Sequence, residues 1–183
     1  MSWGKLLQPD LILGKTILSL TSDIIQQNNI QGLVLDVDET LVPISDNQAS
    51  PELTVWVEKI KPLASLWLVS NNISQYRIRR IAESLNLPYI AGAGKPSRRK
   101  LKKAVEAMNL PVEQVGMVGD RLFTDVLAGN RLGMFTILVE PMFNMGSEIR
   151  NYRVRSFEIW FSQVLGASLN MSSYKNFLPE KKE

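Results

Sequence analysis

Four aspartates, a serine–asparagine pair and a lysine recur along the chain at spacings that could assemble one charged site. Asp36 and Asp38 stand in "DVDET" (36–40), Ser70 and Asn71 in "VSNN" (69–72), Lys95 in "GKP" (94–96), and Asp120 and Asp125 in "VGDRLFTD" (118–125). Carboxylates two residues apart on an extended segment point the same way, so Asp36 and Asp38 are expected to converge on one ligand, joined by Asp120 and Asp125. Unpaired, these groups would repel, and a hard divalent cation is the natural remedy. Magnesium suits the set because it binds through few carboxylates, keeps waters and takes remaining ligands from a phosphate. Lys95 adds positive charge, and the Ser70 hydroxyl and Asn71 amide can donate to phosphoryl oxygens. These are parts for phosphoryl transfer. An aspartate nucleophile splits phosphate-ester hydrolysis into formation and breakdown of an aspartyl phosphate. A second carboxylate can protonate the leaving alkoxide and then deprotonate water. Asp36 and Asp38 fit these two roles in a chain with no histidine to take either.

Such residues must be delivered to one edge of a scaffold, and the sequence supplies one. Five short apolar runs read as buried parallel strands: "GLVLDVD" (32–38), "SLWLVSNN" (65–72), "PYIAGA" (88–93), "VGMVGD" (115–120) and "MFTILVEP" (134–141). Helical patterns alternate with them. Ser50, Pro51 and Glu52 read as an N-cap, a first-turn proline and an acidic first turn. Ser74 is expected to cap "QYRIRRIAESLNL", with Ile78, Ile81 and Leu85 on one face, and Ser97 to cap "RRKLKKAVEAMNL", with Leu101, Val105 and Met108 on one face. Alternating strands and helices predict an α/β fold: a three-layer, doubly wound, Rossmann-like parallel sheet. Ligands of such sheets lie beyond the carboxyl ends of the strands, near the point where strand order reverses. All the residues singled out above fall at or just past strand ends.

At 183 residues the chain suits a single domain, with a core over about 30–145. The segments 1–30 and 146–183 are expected to pack on that core or to touch a membrane. The absence of cysteine excludes disulfides and thiolate metal sites, and the absence of histidine removes the commonest zinc ligand. Twenty-one basic against 18 acidic residues is too mild an excess to argue for nucleic acid, and none is expected as a partner. The stretch "LLQPDLILGKTILSL" is interrupted by Asp10 and Lys15, so it reads neither as a membrane span nor as a signal peptide. A cytoplasmic or organelle-stromal protein that can lie against a membrane is expected, not a secreted one.

The four motifs, in this order, resemble those of the haloacid dehalogenase superfamily of phosphatases. The resemblance implies a nucleophile at Asp36, a general acid/base at Asp38, and phosphate contacts from Ser70 and Lys95. It also implies Mg²⁺ held by Asp36, the Asp38 backbone carbonyl and Asp120, with Asp125 supporting the metal site. Only 24 residues separate Ser70 from Lys95, and about 30 separate the first two motifs, so neither gap holds a large cap domain. More closely, "GDRLFTDVLAGNRLGMFTILVEP" and the lead-in to "GLVLDVDETLV" resemble the capless phosphatidylglycerophosphate phosphatases of subclass IIIA. That family implies a phospholipid substrate. Glu39 departs from it, standing where asparagine is usual.

Two features bear on a lipid. "KPSRRKLKK" (95–103) holds six basic residues beside the expected site, and each such residue near an anionic surface contributes roughly 1 kcal/mol. Phe157, Trp160, Phe161, Val164 and Leu165 form an apolar helical stripe preceded by Arg150, Arg153 and Arg155, a pattern that suits an interfacial helix or a core contact. The rival readings are a capless phosphatase for a soluble sugar, nucleotide or polynucleotide phosphate, and a non-catalytic phospho-acceptor or scaffold. A receiver domain places its acidic pair and its acceptor aspartate on different strands, unlike "DVDET". The sequence does not fix an oligomeric state.

Overall fold

The structure, a computed structural model, describes residues 3–142 and Gly166. The stripe from Phe157 to Leu165 and the arginines before it lie outside the described residues. Six parallel strands form one sheet: β1 (Leu11–Ile12), β2 (Gly32–Leu35), β3 (Ser65–Val69), β4 (Tyr89–Ile90), β5 (Val115–Gly119) and β6 (Phe135–Leu138), in the order β1-β6-β5-β2-β3-β4. All five expected strands are present, though β2 stops at Leu35 and β4 is reduced to two residues. The chain moves from β2 outward to β4, then returns to the other side of β2 with β5. The order therefore reverses between β2 and β5, and the crevice of a doubly wound sheet opens there.

Alternation along the strands feeds two buried layers. Leu33 and Leu35 of β2 and Leu66 and Leu68 of β3 face α3 (Pro51–Ile60) and α4 (Gln75–Leu85), packing on Leu53, Val57, Ile60, Ile78 and Ile81. Val34, Val69, Val115 and Met117 belong to the opposite layer, with Leu101, Ala104 and Val105 of α5 (Arg99–Met108) and Ala128 of α6 (Leu127–Leu132). The spacing of three and four residues between the apolar positions is what lays these helices on the sheet. Ser50 caps α3 as expected, its Oγ accepting from the Leu53 amide at 3.2 Å. Ser74 makes no side-chain cap bond, and Ser97 stands one residue before the cap position of α5, its Oγ accepting from the Arg99 amide at a long 3.4 Å. The Ser74 amide donates to Asn72 Oδ1 at 2.9 Å, so an Asx turn leads into α4, and the cap position of α5 falls on Arg98.

The sixth strand is β1. The segment before β2 is bound into the fold, with Leu7, Ile17 and Leu20 fully buried. Asp10 substitutes for a strand neighbour beside β6: its Oδ2 accepts from the Thr136 amide at 2.7 Å and from Thr136 Oγ1 at 2.9 Å. Asn130 Nδ2 donates to the Leu6 and Gln8 carbonyls, both at 2.9 Å. Between β2 and β3 the chain forms only a loop and α3, and no cap domain intervenes. No helix among the described residues is long and apolar enough to cross a membrane.

Candidate active site

The site begins where β2 ends. The Asp36 amide donates to the Val118 carbonyl at 2.9 Å, extending the β2–β5 ladder by one step, and then the chain turns sharply. The Leu41 and Val42 amides both donate to the Val37 carbonyl, at 3.0 and 3.1 Å, and Glu39 closes the turn in the left-handed region at φ 66°. Asp36 points at the β5 end, where carboxylate oxygens of Asp36, Asp120 and Asp125 lie within 4.8 Å of one another and all three residues are buried. The Asp38 carboxyl is held instead by groups of β3, the loop after it and α4, close enough to Asp36 for its charge to act on that carboxyl.

Lys95 enters the acidic cluster from the loop after β4 and is itself buried. Its Nζ lies 2.5 Å from Asp36 Oδ1 and 2.7 Å from Asp125 Oδ1. Thr40 completes the cluster from the turn: its buried Oγ1 lies 3.3 Å from Asp36 Oδ2 and 3.2 Å from Asp120 Oδ1, and its single proton serves one of them at a time. Asp125 sits in a π-helical turn, Leu122–Val126, with its Oδ2 accepting from the Arg121 amide at 3.3 Å. Gly119 makes that position possible, because a Cβ there would lie 2.4 Å from the Asp125 carboxylate.

Burial pushes the Asp36 carboxyl up to about 7 from its ordinary 3.8. Lys95 opposes the shift, and the negative charges of Asp125 and Asp38 add to it. Burial also works against the Lys95 ammonium, but Asp125 and Asp36 outweigh it and hold Lys95 above the ordinary lysine value. One ammonium therefore does not restore the Asp36 carboxyl to its usual range, and the cluster stabilises either a proton or a further cation. An all-oxygen set of three converging aspartates fits a hard divalent ion such as Mg²⁺.

Asp38 is held by three groups. Ser70 Oγ donates to its Oδ2 at 2.8 Å, Asn72 Nδ2 lies 3.4 Å from Oδ1, and Arg77 Nη1 forms an ion pair with Oδ1. Asn71, expected to face a phosphoryl group, instead clamps the backbone of Lys95: its Oδ1 accepts from the Lys95 amide at 2.7 Å and its Nδ2 donates to the Lys95 carbonyl at 3.0 Å. Both ends of that amide are in use, so Asn71 positions Lys95. Sequence reasoning missed Thr40 and Arg77 as parts of the site. Arg77 carried a signal, since it lies four residues before Ile81 on the face of α4 that is otherwise apolar.

The basic run divides by location. Lys95 is inside the site, and Lys100 Nζ donates to the Ala91 and Gly92 carbonyls at 2.8 and 2.7 Å. Arg98, Arg99, Lys102 and Lys103 remain exposed. Ser97, Arg98, Arg99, Lys102, Arg131 and Leu132 line an open groove of about 740 Å³.

The chain is similar to several known proteins. A HAD-hydrolase-like family model matches residues 92–155. The chain is 38% identical over 129 residues to a probable phosphatase, YqeG, of Bacillus subtilis, covering 70% of this chain and 74% of that protein. It is 29% identical over 137 residues to the chloroplastic phosphatidylglycerophosphate phosphatase 1 of Chlamydomonas reinhardtii, covering 70% of this chain and 51% of the algal protein. Among solved structures, an uncharacterized protein from Listeria monocytogenes superposes with a TM-score of 0.50 at 18% identity, covering 60% of this chain and 78% of that one.

Proposed function

This chain belongs to the haloacid dehalogenase superfamily, and from that premise we propose that it is a Mg²⁺-dependent phosphomonoesterase that converts phosphatidylglycerophosphate to phosphatidylglycerol. The observation that carries the phosphatase reading is the buried Asp36, Asp120 and Asp125 cluster with Lys95 set into it, at the reversal point of the sheet. The algal relative's name supports the lipid substrate. The exposed Arg98, Arg99, Lys102 and Lys103 support an approach to anionic lipid at the same edge.

The roles follow from position. Asp36 is the nucleophile: its carboxylate oxygen bonds to phosphorus as the bond from phosphorus to the substrate oxygen breaks. Asp38 gives its proton to that leaving oxygen, then takes a proton from the water whose oxygen attacks the aspartyl phosphate, releasing phosphate and free Asp36. Lys95 and Ser70 bear on the phosphoryl oxygens. Asp36, Asp120 and the Asp38 backbone would hold Mg²⁺, with Asp125 in support. The ion, when bound, neutralises phosphoryl charge and so lowers the barrier to attack. Among the described residues no cap domain lies over the strand ends, so a substrate embedded in a bilayer can present its headgroup directly.

The test is phosphate release from vesicles containing phosphatidylglycerophosphate and from a panel of soluble monoesters, each with Mg²⁺ and with a chelator. Mg²⁺-dependent release that favours the vesicles is expected. Preference for a soluble ester would move the substrate to a sugar or nucleotide phosphate. Release that ignores Mg²⁺ would overturn the metal role of Asp36, Asp120 and Asp125.

A further inference from the structure

Arg77 is a buried arginine that none of the roles above requires. It lies on α4, and a guanidinium in such a position is costly unless it is paired and fully hydrogen-bonded. Its fork meets that demand with three acceptors. Nη1 pairs with Asp38 Oδ1, Nε donates to the Asp46 carbonyl at 2.9 Å, and Nη2 donates to the Pro43 carbonyl at 3.0 Å. One planar group thereby joins the Asp38 carboxyl to the 43–46 turn, which the Asp46 amide closes onto the Pro43 carbonyl at 2.9 Å. That turn forms one wall of an open groove of about 560 Å³, with Leu41, Arg80 and Met142 among its other walls.

Ser70 also holds Asp38, but it has another demand on it. A serine hydroxyl has one proton, and here that proton goes to Asp38 Oδ2 at 2.8 Å. A phosphoryl oxygen that takes the same proton must take it from Asp38. The Asn72 contact is long, at 3.4 Å. Once a phosphoryl group engages Ser70, the charge-assisted bond from Arg77 is the strong restraint left on the Asp38 carboxyl among these three.

We propose that Arg77 is a positioning residue for Asp38: its fork fixes the carboxyl for proton transfer to the leaving oxygen and couples it to the 43–46 turn beside the groove. This inference rests on reading Asp38 as the acid/base.

The test uses the full chain with Mg²⁺ and two soluble monoesters. One is the alkyl phosphate of the panel that wild type hydrolyses best, whose alkoxide must be protonated as it leaves. The other is 2,4-dinitrophenyl phosphate, whose phenolate leaves unaided. The ratio kcat/KM reports only steps up to formation of the aspartyl phosphate, so the second half-reaction does not enter. Arg77→Gln is expected to lose on the order of 10- to 100-fold in kcat/KM on the alkyl ester and less than about threefold on the dinitrophenyl ester. The double variant Arg77→Gln/Asp38→Asn is expected to fall no further than Asp38→Asn alone. Arg77→Lys keeps the charge but not the three-way fork, and should show a smaller loss with the same preference. If the glutamine variant fails to fold, by circular dichroism, the lysine variant carries the same comparison. Equal losses on both esters, or additive losses in the double variant, overturn the positioning role while Asp38→Asn still shows the leaving-group preference. If Asp38→Asn itself shows no such preference, the acid/base reading fails and the inference fails with it.

Discussion

Replacing Asp36 by asparagine should change how stability depends on pH, in a direction fixed by the burial of that carboxyl. In the folded chain the Asp36 carboxyl is pushed up to about 7, by burial first and by Asp125 and Asp38 in addition, against an ordinary value of 3.8. The folded state therefore holds the Asp36 proton more tightly than the unfolded state does. Stability from this group is fully present below about pH 4 and is lost as pH rises through about 7. A difference of about three pKa units, at about 1.4 kcal/mol each, makes the loss about 4 kcal/mol. Asparagine does not titrate, so the difference between wild type and Asp36→Asn cancels the carboxylates that do not touch Asp36, while Lys95 and Asp125, which interact with it, respond along with it.

The assay is urea unfolding of both proteins in chelator, from pH 4 to pH 8. Relative to the variant, wild type should lose stability steadily across that window. Mg²⁺ binds the ionised carboxylate, so it should offset the loss at pH 8, with about 2.7 kcal/mol of stabilisation at a hundred times its dissociation constant, and do little for the variant. A wild-type curve parallel to that of Asp36→Asn, or equal Mg²⁺ stabilisation of both, would refute the claim that burial raises the Asp36 carboxyl. The same variant should show no turnover, because the amide is not a nucleophile and lacks the charge with which the carboxylate would hold Mg²⁺.

Three further outcomes are expected. Gly119→Ala puts a Cβ 2.4 Å from the Asp125 carboxylate, so Asp125 must move off Lys95, and a Mg²⁺ titration of activity should show at least about tenfold weaker apparent affinity; an unchanged titration would contradict the support role given to Asp125. Asp10→Ala leaves the Thr136 amide without its 2.7 Å acceptor and should cost about 1–3 kcal/mol in urea unfolding while catalysis persists. Changing Arg98, Arg99, Lys102 and Lys103 together to glutamine should weaken binding to anionic vesicles at low salt and slow hydrolysis of vesicle-borne lipid, with a soluble ester little affected; equal losses on both would remove the case for surface recruitment.

The parts of this architecture that were legible in the sequence are those decided locally. Apolar runs of four or five residues marked β2, β3, β5 and β6, and helical spacing marked the faces of α4 and α5. The edge strand β1 was not legible, since two residues carry no period and its attachment depends on Asp10 meeting Thr136, 126 residues away. That the Asp38 carboxyl is held by Ser70, Asn72 and Arg77 was hidden for a related reason. Two-residue spacing aligns side chains only while the strand continues, and here it stops at Leu35 and gives way to a turn that holds Glu39 in the left-handed region. Asn71 was recognised as belonging to the site, but a sequence does not reveal whether an amide faces a ligand or a neighbouring backbone.

That Asp36 could be grouped with Asp120 and Asp125, each more than 80 residues further along the chain, follows from the reversal of strand order. Residues just past β2 and just past β5 share the crevice because those two strands are paired in register and their outgoing connections run to opposite sides. The intervening chain does not alter that meeting. Lys95 depends on more: it must be carried in from β4, two strands away, and its backbone is held by Asn71 at both its amide and its carbonyl. Arg77 depends on more still, because its partners are two carbonyls of an irregular loop and a carboxyl past the end of β2. The acidic cluster is thus set by topology, whereas the hold on Asp38 is set by loop geometry, and substitutions in the 43–46 turn should disturb proton transfer before they disturb metal binding.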